Sequence, residues 1–278
     1  MLANTKAMLG KAQKRGYAVG AFDVNNMEML QGVLSACIEE KAPVIIQTTE
    51  HAIEYAGIDY LIAMIRTAAK AGIPVAMHLD HGKHMTAIKS CIQSGYTSVM
   101  FDGSALPFEK NIAITKKVVA LAKKASVEAE LGRIMGKESF SASMENIYTD
   151  PEQAKTFVKK TGIGSLAVAI GTKHGFNKGR VRLRFDILEQ IQKKVKIPLV
   201  LHGGSQLKSR EIKKCISLGI AKINIDSDLR EVFTQTIRNE LARNKDEKDP
   251  REILGPAREA VREAVKEKIA LFGCGGKA

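Results

Sequence analysis

Four of the six histidines stand where a short β-rich run gives way to a loop: His78 and His81 in H-L-D-H-G, His174 in T-K-H-G and His202 in L-H-G-G-S. Asp102, Glu128, Glu130, Asn224 and Asp226 lie at or near the ends of comparable runs. Imidazoles gathered from separate segments make a nitrogen-rich, borderline-soft site, which suits zinc or a similar divalent ion with a fourth position left open. The placement favours His81, His174 and His202 as ligands. His78 shares a side of its run with Asp80 and, by strand alternation, faces away from His81, so it is the poorer partner. His51 and His84 lack such placement and read as ordinary polar groups. Glycines follow the ligand candidates, in His174-Gly175 and His202-Gly203-Gly204-Ser205, and the next run leads into Asn224-Ile225-Asp226-Ser227. Because glycine allows close backbone approach, successive N–H groups in such loops can cradle a phosphate.

Positioning these residues requires regular elements, and the chain alternates them. Strand candidates are Tyr17 to Val24, Pro43 to Thr48, Pro74 to Asp80, Thr97 to Asp102, Ser126 to Leu131, Ser165 to Ile170, Pro198 to His202 and Ala221 to Asp226. Helical spacing covers Met27 to Glu40, Tyr60 to Ala71, Met85 to Ser94, Phe108 to Lys124, Pro151 to Lys160, Phe185 to Lys194, Lys208 to Leu218 and Ala257 to Leu271. Strand and helix in alternation imply an all-parallel sheet, since parallel neighbours need a crossover. Eight such units predict an α/β fold, a (β/α)8 TIM barrel forming a single domain over residues 1–278 with a C-terminal helical extension. An open doubly wound sheet is disfavoured, because Val24-Asn25-Asn26 stands where a dinucleotide-binding fold carries its glycine-rich turn. The barrel puts the chemistry-bearing residues at the carboxyl ends of the strands, where such folds keep their sites, and the phosphate cradle after strands seven and eight. Gly132 to Asp150 and Asn244 to Pro256 read as irregular, the first as a candidate lid.

The chain has 278 residues, 45% of them hydrophobic, which is enough for a sizeable core and excludes disorder as the main state. No apolar run reaches the ~18 to 20 residues of a membrane span, and the N-terminus lacks a signal-peptide pattern, so a cytoplasmic protein is expected. Cys37, Cys91, Cys215 and Cys274 are widely spaced without a C-x-x-C pair, which fits reduced thiols and places any metal on nitrogen or oxygen. A net charge of +13 favours anionic partners, yet 5% aromatics and no tryptophan argue against nucleic acid as the main one.

Several motifs occur together and in one order. They are Val75 to Gly82 ending H-x-D-H-G, Val127-Glu128-Ala129-Glu130-Leu131-Gly132 continuing to Gly136 and Glu138, and G-T-x-H-G at Gly171 to Gly175. L-H-G-G-S at Leu201 to Ser205, N-I-D at Asn224 to Asp226 and D-P-R…G-P-A-R-E-A at Asp249 to Ala260 complete the set. With this set the chain resembles the metal-dependent, class II fructose-bisphosphate aldolases and their tagatose-bisphosphate relatives along nearly its whole length. The resemblance implies reversible aldol cleavage of fructose 1,6-bisphosphate to dihydroxyacetone phosphate and glyceraldehyde 3-phosphate. It implies Zn2+ on His81, His174 and His202 stabilising the enediolate, and Asp80 exchanging the proton of the C4 hydroxyl, with orientation of a histidine as its alternative role. Glu138 is similar to the lid acid that handles the proton at carbon. Asp102 and Glu130 resemble inner carboxylates that hold a metal in an alternative position or support its ligands.

By the same resemblance Gly175, Gly203, Gly204, Ser205, Asn224, Asp226 and Ser227 hold the dihydroxyacetone phosphate end, helped by a monovalent cation, K+ or Na+. Asn25 and Asp226 are similar to residues that contact substrate hydroxyls. Lys178, Arg230 and Arg251 match basic positions for the distal phosphate, with Arg251 supplied by a neighbouring subunit of a homodimer or homotetramer. The sequence departs from the pattern in its lid, Gly132-Arg133-Ile134-Met135-Gly136-Lys137-Glu138, at Gln206 and at His51. Tagatose bisphosphate or another ketose phosphate therefore remains an alternative substrate. A barrel hydrolase using a metal-activated water, and a non-catalytic scaffold for acidic partners, are the competing classes.

Overall fold

The computed structural model describes residues 2–70, 72–133, 147–173, 175, 182–205 and 207–278. Its elements are α1 (Thr5–Arg15), β1 (Val19–Asp23), α2 (Met27–Glu39), β2 (Val44–Thr48), α3 (Glu50–Ala56), α4 (Ile58–Ala68), β3 (Val75–Gly82), α5 (Met85–Gln93), β4 (Ser98–Phe101) and α6 (Phe108–Ala122). There follow β5 (Ser126–Leu131), α7 (Pro151–Thr161), β6 (Ser165–Val168), α8 (Phe185–Lys194), β7 (Leu199–Leu201), α9 (Ser209–Ser217), β8 (Ile220–Ile225), α10 (Ser227–Arg243) and α11 (Pro250–Phe272). The eight strands pair in sequence order, all parallel, and β8 pairs back onto β1 to close the barrel. The helices are set by local chemistry as expected. The Asn26 side chain accepts from Met29 N at 2.9 Å to start α2, and Asp150 accepts from Gln153 N at 2.7 Å to start α7, whose first residue is Pro151.

Two apolar regions result. The larger core lies between the sheet and the helices and includes Phe22, Ile46, Leu79, Phe157, Val261 and Phe272. A small separate cluster of Met100, Ala167 and Val200 belongs to β4, β6 and β7. The interior also holds buried polar groups. Lys222 on β8 reaches Glu128 on β5 at 2.8 Å and His78 on β3 at 3.2 Å. Those strands are not neighbours in the sheet, so the contacts cross the inside of the barrel. His78 Nδ1 meets Ser98 Oγ at 2.8 Å, and Ser98 accepts from Thr5 of α1 at 3.0 Å, which ties the interior to the N-terminal helix.

The eight predicted strands are present, but three helices lie outside the expected set: α1, α3 and α10. The reason is clearest for α10, which spans 17 residues and buries only Leu229 and Phe233, so it carries almost no apolar stripe to read. The stretch from Asn244 to Pro256, expected to be irregular, already belongs to α11 from Pro250 onward. Asp249 caps it by accepting from Arg251 N at 2.9 Å, and Pro250 sits in the first turn where its missing N–H costs nothing. Pro256 lies inside the helix, held there by packing of Ala257, Val261, Val265 and Ile269 into the core. Among the described residues no helix is long and apolar enough to cross a membrane, and all four cysteines are buried free thiols.

The contact of α2 with α11 gives a stability test. A Cβ on Gly32 would lie 2.7 Å from the Arg258 carbonyl oxygen and 3.0 Å from Val261 Cγ1. Alanine gains about 0.5–1 kcal/mol of helix propensity over glycine, whereas overpacking costs about 1–3 kcal/mol. Gly32→Ala is therefore expected to destabilise the protein and lower its melting temperature by roughly 2–6 °C. Calorimetry checks this, and a raised melting temperature would show that the two helices separate freely.

Candidate functional site

The third strand does not end as a simple alternating strand. His81 has φ 45°, and the β3–β4 register slips between Leu79 and Gly82. A left-handed residue at this point turns the chain so that Asp80 and His81, consecutive residues, both line the same cleft. The alternation argument thus holds for His78 and Asp80 and fails at His81. Gly82 must follow, since a Cβ there would fall 2.6 Å from the Met100 carbonyl oxygen. His78 stays deeper in the barrel, fully buried and bonded to Ser98 and Lys222.

His81 and His202 come together as the sequence implied. His81 Nε2 and His202 Nδ1 face each other at 3.0 Å, with ring centroids 4.6 Å apart. The other nitrogen of each ring is held by a carboxylate: Asp102 Oδ2 lies 3.0 Å from His81 Nδ1, and Glu128 Oε1 lies 3.0 Å from His202 Nε2. Asp80, His81 and His202 form one group able to hold a metal ion, and His81, Asp102 and Glu130 form another. Glu130 Oε2 is buried without a hydrogen-bond partner among the described residues and lies 3.9 Å from His81 Nδ1. Two converging imidazole nitrogens with carboxylates behind them are the donor set a divalent ion requires. His174, the third expected ligand, lies outside the described residues.

The cleft, of about 150 Å³, is lined by Asp23, Thr49, Asp80, His81, Lys173, Gly175, His202, Gly203, Ser205, Asn224, Asp226 and Ser227. It therefore gathers most of the expected phosphate-end residues. Gly203 has φ 64°, and a Cβ there would meet the Lys173 carbonyl oxygen at 2.6 Å, so only glycine fits. Ser227 opens α10, and the start of a helix favours an anion. Other expected residues fall elsewhere. Gly204 packs against β8, its virtual Cβ 2.6 Å from Ile223 Cγ2. Asn25 is not among the lining residues, and its amide points to Met29 Sδ at 4.0 Å. Arg230 is turned to Asp226 at 2.7 Å, and Arg251 is 88% exposed, paired with its own Asp249 at 2.6 Å. Glu138, Lys178, Gln206 and most of the expected lid lie outside the described residues. His51 and His84 pair with Glu54 and Glu50 on the outside, as ordinary polar groups do.

Comparison with known proteins bears on this arrangement. The class II fructose-bisphosphate aldolase family matches residues 3–277. The chain belongs to that family. It is 45% identical over 305 residues to the fructose-bisphosphate aldolase of Thermus caldophilus, covering 100% of both chains. It is 44% identical over 283 residues to the probable fructose-bisphosphate aldolase of Bacillus subtilis strain 168, covering 100% of this chain and 99% of that one. Among solved structures, the YdjI aldolase of Escherichia coli K12 superposes with a TM-score of 0.89 at 37% identity, covering 100% of each chain.

In this class II aldolase the cleft also contains Lys173, at the end of the sixth strand, and two residues that motif reasoning passed over, Asp23 and Thr49. Asp23 had a readable signal, since it lies at the carboxyl end of the first strand, as Asp80 and Asp102 lie near the ends of the third and fourth. It is 3% exposed, its Oδ2 accepts from Gln47 Nε2 at 2.7 Å, and its Oδ1 has no partner among the described residues. Burial, then the charges of Asp80 and Asp226, raise its pKa well above the usual carboxylate range. Asp80 moves the other way: burial opposes its charge, but His81, His202 and Lys222 together lower its pKa. One cleft thus holds a carboxyl biased towards its proton and a carboxylate biased against it, the divergence that separates acid and base roles.

His81 titrates well above its usual range. Burial works against its charge, but Asp80, the bond from Asp102 and the charge of Glu130 outweigh it and raise the pKa to about 10. The stabilisation from its charged form is complete below the ordinary imidazole value of about 6.5 and is lost as pH rises through about 10. Metal-free protein should therefore lose stability steadily across that window, and His81→Asn should flatten the slope. Thermal unfolding of chelator-treated protein as a function of pH measures both, and a native slope in the variant would assign it to another group.

Proposed function

We propose that this aldolase reversibly cleaves fructose 1,6-bisphosphate to dihydroxyacetone phosphate and glyceraldehyde 3-phosphate, with Asp80 as the proton carrier. One observation carries the reading: Asp80 is 4% exposed, biased towards its charged form, and held by Asn224 Nδ2 at 3.0 Å beside the converging His81 and His202 rings. Asp80 accepts the proton of the C4 hydroxyl as the C3–C4 bond breaks, and returns it in the reverse direction. The electron pair of that bond stays with the dihydroxyacetone phosphate half, whose carbon then takes a proton from Glu138. Held by His81, His174 and His202, a divalent ion, zinc by the character of the donors, would supply Lewis-acid stabilisation of the charge that develops on this half. Asp102 and Glu128 fix the two rings from behind, and Glu130 serves as an inner carboxylate beside them. Asp23, which burial biases towards its proton, lines the same cleft.

Gly175, Gly203, Gly204, Ser205 and Ser227 accommodate the phosphate of the dihydroxyacetone end, with a K+ or Na+ ion beside it, and Asn224 and Asp226 its polar neighbours. The surplus of positive charge, +13, supports a doubly anionic substrate. Lys178 and Arg230 meet the distal phosphate, Arg230 exchanging Asp226 for it. The exposure of Arg251 supports its use in the cleft of a second copy within a homodimer or homotetramer. Buried free thiols support a cytoplasmic setting, where the reaction serves glycolysis and gluconeogenesis.

A coupled assay with fructose 1,6-bisphosphate, and tagatose 1,6-bisphosphate alongside, tests this before and after chelation and zinc restoration. Chelator-sensitive cleavage of the fructose ester, recovered with zinc, is the expected result; preference for the tagatose ester would assign the other C4 epimer, and no cleavage of either would remove the reading. Asp80→Ala should retain zinc and lose ~10²- to 10⁴-fold in turnover, and an unchanged rate would reassign the base. Arg251→Ala should raise KM for a bisphosphate far more than for a monophosphate, while equal effects would take it away from the distal phosphate.

A further inference from the structure

We propose that Glu128 and Lys222 are positioning residues that fix His202 with its Nδ1 lone pair facing the metal centre. The inference rests on the metal-dependent reading above and deepens it. His202 Nδ1 has the Asn224 amide nitrogen at 3.3 Å, a group that only donates, and the same nitrogen donates to the Asp80 carboxylate at 3.0 Å, which settles its orientation. Nδ1 is therefore an acceptor, and the ring proton sits on Nε2. That N–H points at Glu128 Oε1 at 3.0 Å.

A glutamate can rotate, and one bond to an imidazole does not hold it. Its second oxygen accepts from Lys222 Nζ at 2.8 Å, and Lys222 donates in turn to His78 Nε2 at 3.2 Å. His78 donates through Nδ1 to Ser98 at 2.8 Å. Both side chains of the ion pair are almost inaccessible, at 0% and 2%. Every link of this chain is buried, so the orientation of His202 is set from inside the barrel, on the side away from the cleft.

A buried ion pair is weak evidence of stabilisation, because apolar residues of similar volume often replace it without loss, while removal of one partner strands a charge. That asymmetry separates positioning from structure. Glu128→Leu/Lys222→Met removes both charges and the acceptor for His202. Glu128→Gln/Lys222→Met removes the charges but keeps an acceptor oxygen. Zinc affinity is measured by competition with a chromophoric chelator, with the melting temperature of the metal-free protein recorded alongside. The Leu/Met variant is expected to melt no lower than the native protein and to bind zinc ~10- to 100-fold more weakly, and the Gln/Met variant to recover most of the loss. Native zinc affinity in the Leu/Met variant would overturn the proposal. Failure of the native protein to bind zinc would instead overturn the metal-dependent reading.

Nitrogen-15 spectra of histidine-labelled, metal-free native protein, with His202 assigned by its loss in His202→Gln, supply a readout that needs no altered barrel. Protonation of His202 at Nε2 is expected, and protonation at Nδ1 alone would overturn the proposal even if the Leu/Met variant fails to fold.

Discussion

A lysine and a glutamate with no access to water face each other across the inside of the barrel, and much of the molecule is arranged around that fact. Charges of this kind persist only when paired and when their remaining hydrogen-bonding capacity is used. Lys222 and Glu128 meet this condition through His78 and His202, drawn from four different strands or strand ends. Removing one partner of such a pair typically costs about 3–5 kcal/mol, a large part of an ordinary folding free energy. The barrel interior is thus specified by geometry as much as by apolar filling. Met100, Ala167 and Val200 form a small apolar cluster apart from the main core, which includes the packing of sheet against helices.

Above this polar layer the site depends on one local irregularity. A regular β3 would send His81 towards the helices, and the left-handed turn at His81, with the register slip beside it, brings the ring back beside Asp80. Such a conformation is uncommon for a residue with a Cβ and persists where the surroundings hold it. Here the surroundings are Asp102 behind the ring and Gly82 after it, where no side chain fits.

The electrostatics of the cleft follow from how its charges are distributed. Asp23, Asp80 and Asp226 share a small volume, and three carboxylates so placed cannot all ionise freely. Asp80 has the histidines and Lys222 nearby and its pKa is lowered, while Asp23, bonded to Gln47 and facing Asp80 and Asp226, has its pKa raised by burial and by those charges. Asp226 is also raised, burial outweighing the help of Arg230. Burial and neighbouring charge thus push the carboxyl groups of one cleft in opposite directions.

The sequence alone determined the barrel, because strand and helix periodicities depend on residue type and spacing, and eight parallel strands have few ways to close. Its ordered motifs also pointed to the chemistry, through their resemblance to the class II aldolases. It did not reveal α10, whose largely polar surface leaves no stripe, nor the start of α11 at Pro250, where a proline is compatible with a first turn as well as with a loop. Asn25 and Asp23 lie two residues apart and were separable only by which of them faces inward. Tertiary structure alone decided the turn at His81, the partner of each histidine nitrogen and the burial of Lys222. Those features arise from contacts between residues far apart in the chain, such as Lys222 with His78 and His202 with Glu128, and local sequence carries no record of which distant group will be there.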